Sequence, residues 1–297
     1  MIFNIFGIFD IFGSLSIKII SIIVILLLIL FFKIRKGLKL REEELKLMRK
    51  DDKNRIGQRY NIKREGKKDI EVNLYIRNTK ESSPLLINIH GGAFISGDAD
   101  TLDTQSERIS KQYNVHVVTV NYKLLSRGIN IDYQIEEIID TIKFFYKNHS
   151  IYKVDPNNIF VLGYSAGGCL AMNAALKLIK MGIKIKGQIL CYAYIRDIIE
   201  QFNNLENIYK KEIPPALFIL ADKDFISTGS LNYEKLLKEN GIMTEVKFYE
   251  GAIHGFIEEN NPEYEKLNFK ASKSPEQEKM ARDAENHIGF WINKKLN

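Results

Sequence analysis

Apolar residues in this chain gather in short, mostly continuous runs at Ile70–Ile76, Leu85–Ile89, Val115–Asn121, Ile159–Gly163, Gly187–Tyr192, Ala216–Ala221 and Thr244–Tyr249. Longer stretches with apolar positions at helical spacing alternate with the later ones: Gln134–Asn148, Ser165–Lys180, Ser230–Glu239 and Ser274–Lys294. A strand buried on both faces has no polar side, and strands alternating with helices pair in parallel. The pattern therefore predicts an α/β domain with a mostly parallel central sheet and helices on both faces. Pro156 and Pro214-Pro215 mark loops between elements. Only 23 residues separate the run ending at Tyr192 from the one starting at Ala216, which predicts a small cap and an open site beneath it. Tyr194 and Phe202 are candidate pocket walls there, or equally core.

The first residues follow another rule. Residues 2–13 repeat Ile-Phe-x four times, and from Ile11 to Phe32 only Lys18 is charged. That length suits a membrane-spanning helix if Lys18 reaches the interface. A signal peptide would carry its positive charges first and a small-residue cleavage site after, and here the order is reversed. Residues 1–34 are thus expected to be an uncleaved single-pass membrane anchor, with a helix lying in the interface as the competing arrangement. Residues 35–68 read as a basic juxtamembrane linker, and 69–297 as the catalytic domain.

Charge sharpens this division. Residues 33–68 hold 15 Lys/Arg against 6 Asp/Glu, and residues 69–297 hold 27 against 30, so the overall +6 belongs to the membrane-proximal flank. A basic flank beside an apolar segment is expected to meet anionic lipid and stay cytoplasmic, as would the domain after it. It lacks the interleaved aromatics of a nucleic-acid surface, so no nucleic-acid partner is expected. Cys169 and Cys191 lie in apolar runs and read as buried thiols, with no disulfide framework and no metal-ligand spacing. Oligomeric state is not written in the sequence.

Gly163-Tyr164-Ser165-Ala166-Gly167 follows one apolar strand run and precedes a helical stretch. A Gly-x-Ser-x-Gly in that setting forces a tight turn that lifts the serine hydroxyl above the sheet edge, at a helix N-terminus that favours developing negative charge. Such a serine needs a base, a carboxylate to orient it, and N–H donors for an oxyanion. His254, on a glycine-flanked loop after a late strand, is placed to be the base. Asp222 or Asp224, both past the run ending at Ala221, supplies the carboxylate. Asp224 is favoured because it lies further into the loop. His90-Gly91-Gly92-Ala93-Phe94 follows a strand run, and paired glycines bring backbone amides close to a ligand. The oxyanion site is therefore expected at Gly91, Gly92 and Ala93, joined by the amide of Ala166, with His90 bracing the loop.

These pieces, with Asn121-Tyr122-Lys123-Leu124 and Asp155-Pro156-Asn157-Asn158-Ile159, resemble the hormone-sensitive-lipase-like branch of the α/β-hydrolase esterases over roughly residues 69–296. The resemblance implies the α/β-hydrolase fold, Ser165 as nucleophile, Asp224 as acid and His254 as base. Ala93 stands where a third loop glycine is usual, Tyr164 where aspartate is frequent, and Phe225 where proline is common. The first two also look like isoprenylcysteine methylesterase-like and kynurenine formamidase-like enzymes. The expected activity is cofactor-free hydrolysis of short-chain acyl esters, on small-molecule or lipid substrates. An amidase, peptidase or prenylated-protein methylesterase on the same residues is the alternative, and a binding module on the same scaffold is a further one.

Overall fold

The computed structural model describes residues 36, 39–196, 202, 205–267 and 273–297. They belong to two compact units, Met1–Lys46 and Leu47–Asn297. In the first, the described residues are helical, with a Lys46–Glu42 pair one turn apart at 2.9 Å. The anchor expected over residues 1–34 lies outside the described residues. Among the described residues, no helix is long and apolar enough to cross a membrane.

The second unit is built on one eight-stranded sheet. Its strands are β1 (Gln58–Ile62), β2 (Ile70–Tyr75), β3 (Ser83–Ile89), β4 (His116–Asn121), β5 (Val154–Tyr164), β6 (Gly187–Cys191), β7 (Ala216–Lys223) and β8 (Thr244–Ile253). The spatial order is β1-β2-β4-β3-β5-β6-β7-β8. β1–β2 and β2–β4 are antiparallel, and every pairing from β4 through β3 to β8 is parallel. Among the described residues of this unit, five longer helices flank the sheet: α1 (Asp103–Tyr113), α2 (Ile131–Lys147), α3 (Ala166–Ile179), α4 (Ser227–Glu239) and α5 (Pro275–Leu296).

The continuous apolar runs are explained by what lies above and below them. Successive strand residues point to opposite faces. Leu85, Ile87 and Ile89 enter one core with α2 and α3, while Leu86 enters the other with α1 and α5. Val161 and Leu162 divide in the same way between the two cores.

Two elements depart from the expected organisation. Helix α1 is amphipathic but mostly polar, and its buried face carries Asp103, Gln105 and Ser106 as well as Ile109. Nothing in an apolar pattern marks such a helix. β1 falls inside the stretch expected to be a linker over 35–68, and residues 47–68 belong to the second compact unit with the rest of the sheet. Their charges are the reason. Asp103 accepts hydrogen bonds from the amides of Ile56 and Gly57, the Tyr75 hydroxyl and the Lys50 ammonium, at 2.8, 2.9, 2.7 and 2.6 Å. Asp100 accepts from the Lys50 amide, Arg59 and Asn73. Arg49 pairs with Glu71, and Arg64 with Glu137 and Asp140. Much of the basic excess of residues 47–68 is thus neutralised by acids beyond residue 68, so a charge boundary drawn at 68 cuts through one ion-pair network.

Burial opposes the charge on Asp103, but the two amides and the Lys50 ammonium outweigh it and hold the carboxyl below its usual range. The sign follows: this stabilisation is complete above the unfolded carboxylate range and is lost as pH falls through the lower, folded value. Asp103→Ala is expected to lower the unfolding free energy by about 3–5 kcal/mol, because it leaves the Ile56 and Gly57 amides and the Tyr75 hydroxyl without their acceptor and takes one of the two carboxylates from Lys50. Urea unfolding at neutral pH measures it. A change below about 1 kcal/mol would sink the claim that this carboxylate fastens residues 47–68 to the sheet.

Candidate active site

Ser165 sits between β5 and α3, with φ 49° and ψ −115°. This region is costly for a residue with a side chain. The neighbours fix it from both sides: the Ser165 N–H donates to the Cys191 carbonyl at 3.0 Å, and the Ser165 carbonyl accepts from the Tyr194 N–H at 3.0 Å. The flanking glycines are required by close approach. A Cβ on Gly163 would lie 2.3 Å from the Gly167 carbonyl oxygen, and one on Gly167 would lie 2.3 Å from that of Ile89. Tyr164, the residue before the serine, points away beneath the sheet and donates to Gln105 of α1 at 2.9 Å. Its departure from aspartate therefore leaves the open side of the sheet unchanged.

His254 follows β8 on the turn completed by Gly255, whose φ is 83°. Its Nδ1 lies 2.8 Å from Asp224 Oδ2 and its Nε2 lies 2.9 Å from Ser165 Oγ. A carboxylate only accepts, so Nδ1 carries the hydrogen and Nε2 is left to accept from the serine hydroxyl. The Asp224 side chain is fully buried, and its other oxygen accepts from the Ile226 amide at 3.0 Å. The Tyr192 ring packs against the His254 ring with centroids 5.1 Å apart. Of the two candidate aspartates, Asp224 is the one beside the histidine. Asp222 is exposed and accepts from the Gly251 amide at 3.2 Å, bracing the turn at the end of β8.

The glycine-rich loop after β3 carries three consecutive positive φ values, at Gly92, Ala93 and Phe94. A Cβ on Gly92 would collide with the Ser96 carbonyl oxygen at 2.1 Å, which explains glycine there. Ala93 tolerates φ 52° while keeping its amide. Among the described residues, the N–H groups of Gly92 and Ala93 meet no protein acceptor. Ala166 opens α3, where the first N–H groups have no intrahelical partner. Gly91 behaves differently from its expected role as a donor, because its N–H is used inside the protein, donating to Glu258 Oε1 at 2.8 Å. His90 is a brace, as expected. It is buried and stacked on Tyr122 at 4.3 Å, and its Nδ1 meets the Gly91 carbonyl at 2.7 Å. Burial pushes its pKa down to about 4, so it is neutral at physiological pH.

A cavity of about 480 Å³ opens over these groups, walled by Ala93, Phe94, Tyr194, Phe225 and Ile226, with Ser165 and His254 in its lining. Phe94, Ile131 and Tyr194 also border a neighbouring cavity of about 780 Å³ that runs along α2 and α3. Of the two suggested aromatic walls, Tyr194 lines the cavity, whereas Phe202 is buried in the core. Both cysteines are free thiols, with Cys191 buried and Cys169 partly so. Sequence reasoning passed over Glu258 and Tyr192. No spacing marks either one, because both reach the site from beneath the loops that carry it.

Comparison with known proteins agrees with this architecture. A family profile described as the α/β-hydrolase fold matches residues 86–213. A protein of Acanthamoeba polyphaga mimivirus named as an α/β hydrolase is 26% identical over 219 residues, covering 61% of this chain and 63% of its own length. The arylacetamide deacetylase of Oryctolagus cuniculus is 34% identical over 139 residues, covering 44% of this chain and 35% of its own. The chain thus spans less than two thirds of the length of either relative. Among solved structures, a hyperthermophilic esterase from the archaeon Pyrobaculum calidifontis superposes with a TM-score of 0.65 at 22% identity, covering 89% of this chain and 93% of that one. A thermostable carboxylesterase cloned from a metagenomic library gives 0.66 at 20% identity, covering 87% and 96%. These structural likenesses concern the fold. The chain has the α/β-hydrolase fold and, in its glycine-rich loop and strand-turn-helix serine, resembles the hormone-sensitive-lipase-like branch of the esterases.

Proposed function

We propose that the protein is a serine carboxylesterase that hydrolyses short-chain acyl esters through an acyl-enzyme. The observation that carries this reading is the hydrogen-bonded line from Ser165 through His254 to the buried Asp224, at the edge of a cavity bordered by Ala93 and Ala166. Ser165 Oγ attacks the ester carbonyl while His254 Nε2 takes its proton. Asp224 holds the Nδ1–H and stabilises the imidazolium. The Gly92, Ala93 and Ala166 amides receive the oxyanion, and preorganised donors of this kind supply a large part of such rate accelerations. His254 then returns the proton to the leaving alcohol. A water molecule repeats the sequence on the acyl-serine and frees the acid.

The cavity over Ser165 suits a small acyl group, and the aromatic pair Phe94–Tyr194, 6.0 Å between centroids, stands between it and the larger cavity. Residues 1–34 complete the proposal as a single-pass anchor, a reading that rests on their apolar composition, with the catalytic domain on the cytoplasmic side, which rests on the basic residues that follow them. The arylacetamide deacetylase relatives favour amide hydrolysis on the same residues as the second reading.

Initial rates on p-nitrophenyl esters from acetate to decanoate test the first reading. Turnover favouring acetate or butyrate is expected. A peak at decanoate would instead mean that acyl chains pass Phe94 and Tyr194, and turnover of arylacetamides alone would move the assignment to the amidase. Ser165→Ala is expected to reduce kcat by roughly 10⁶-fold. Asp224→Asn should cost roughly 10⁴-fold and Asp222→Asn only a few-fold; the reverse ranking would exchange their roles. Ser165→Gly is expected to be more stable than Ser165→Ala by about 1–2 kcal/mol in thermal or urea unfolding, since only glycine relaxes at this φ and ψ. Equal stabilities would mean that no strain is stored at the serine.

A further inference from the structure

Glu258 lies four residues after His254, in a short 3-10 turn, and is 4% exposed. One carboxyl oxygen accepts the Gly91 N–H at 2.8 Å. The Tyr192 hydroxyl oxygen accepts the Glu258 N–H at 3.3 Å. Gly91 and Glu258 fit one another closely, for a Cβ on residue 91 would lie 2.8 Å from the second carboxyl oxygen. The groups facing Glu258 from the surrounding elements are Tyr122, Tyr164, Cys191, Tyr192, Tyr264 and Glu259. Among the described residues, no Lys, Arg or His pairs with it. A carboxyl buried without a cation is costly, and an apolar side chain in its place would leave the Gly91 N–H without an acceptor.

We propose that Glu258 is a positioning residue, whose carboxyl fixes the Gly91 amide so that the next two amides, Gly92 and Ala93, stay aimed at the oxyanion above Ser165. This rests on the serine-esterase reading. The Gly91 carbonyl is held by the His90 ring at 2.7 Å and the Tyr122 hydroxyl at 3.2 Å. With the amide held as well, both peptide planes of residue 91 are fixed before substrate arrives. Tyr192 extends the brace, because the hydroxyl that meets Glu258 belongs to the ring packed against His254. One side chain thereby ties the loop of the oxyanion donors to the turn of the base.

The state of the carboxyl matters for this role. Burial, aided by the neighbouring Glu259, pushes the Glu258 pKa up to about 8, against the pull of the Gly91 amide and Tyr192. At neutral pH the carboxyl is mostly uncharged and accepts without opposing the oxyanion. Above about 8 it becomes a carboxylate on the oxyanion side of the site, and kcat falls. Glu259, pushed up to about 7 by burial and facing His254, titrates nearby, so a variant at 258 is needed to separate the two.

The test uses the full chain and p-nitrophenyl butyrate between pH 6 and 9, with wild type, E258Q, E258A and S165A. Glutamine keeps an acceptor oxygen and the shape but cannot ionise. Expected are a roughly 10- to 100-fold fall in kcat for E258A with KM changed less than about threefold. E258Q should restore kcat at pH 7 to within about threefold and lose the decline near pH 8. E258A that unfolds cooperatively and keeps wild-type kcat overturns the inference, as does an E258Q profile that retains the decline. Where E258A does not fold, the E258Q profile decides alone. Turnover that survives S165A would overturn the serine reading and this inference together, whereas loss in S165A with an unaffected E258A overturns only the role of Glu258.

Discussion

The crossing of β5 and α3 at Ser165 is the constraint on which the rest of the site depends. The start of the helix presses on Gly163 of β5 and, through Gly167, on the end of β3 at Ile89, so neither glycine has room for a side chain. The backbone between them can turn only through the strained φ and ψ of Ser165. The surrounding sheet over-determines that geometry through hydrogen bonds to Cys191 and Tyr194, and the two cores clamp β5 from both faces. A strained position persists only under such conditions. The same turn starts a helix, so it presents the Ala166 amide beside the hydroxyl it raises.

The parallel sheet converts this local geometry into a site. β3, β5, β7 and β8 run in the same direction, so the segments after them emerge on one edge. These segments carry the glycine-rich loop, Ser165, Asp224 and His254. The residues lie far apart along the chain but meet within hydrogen-bond distance, because sheet registry sets where each loop begins. Below them lies a polar layer that an apolar pattern does not reveal: His90, Tyr122 and Glu258, joined through the backbone of Gly91, and Tyr192, joined to the Glu258 amide. At the other end of the sheet, Asp100 and Asp103 do similar work for residues 47–68.

Continuous apolar runs made the sheet and most of its helices legible, since burial on both faces leaves a strand no polar alternation to hide in. Polar elements were less visible. α1 buries Asp103, Gln105 and Ser106 against partners from distant segments, and β1 is an edge strand with charged neighbours, so neither shows a hydrophobic period. The basic composition of residues 35–68 suggested a linker because the acids that neutralise 49, 50, 59 and 64 lie beyond it in sequence.

By itself the sequence determined the α/β layering, the serine turn and the candidate histidine, because each is encoded by neighbours within a few residues: an apolar run, two glycines, a strand ending in a turn. It favoured Asp224 over Asp222 only by position along the loop, and counted Gly91 among the oxyanion donors. Only the tertiary structure decided these points. Which aspartate meets His254, and whether an amide faces the cavity or a buried carboxyl, depends on loops brought together by strand registry, and Glu258 stands 167 residues away from the Gly91 amide it holds.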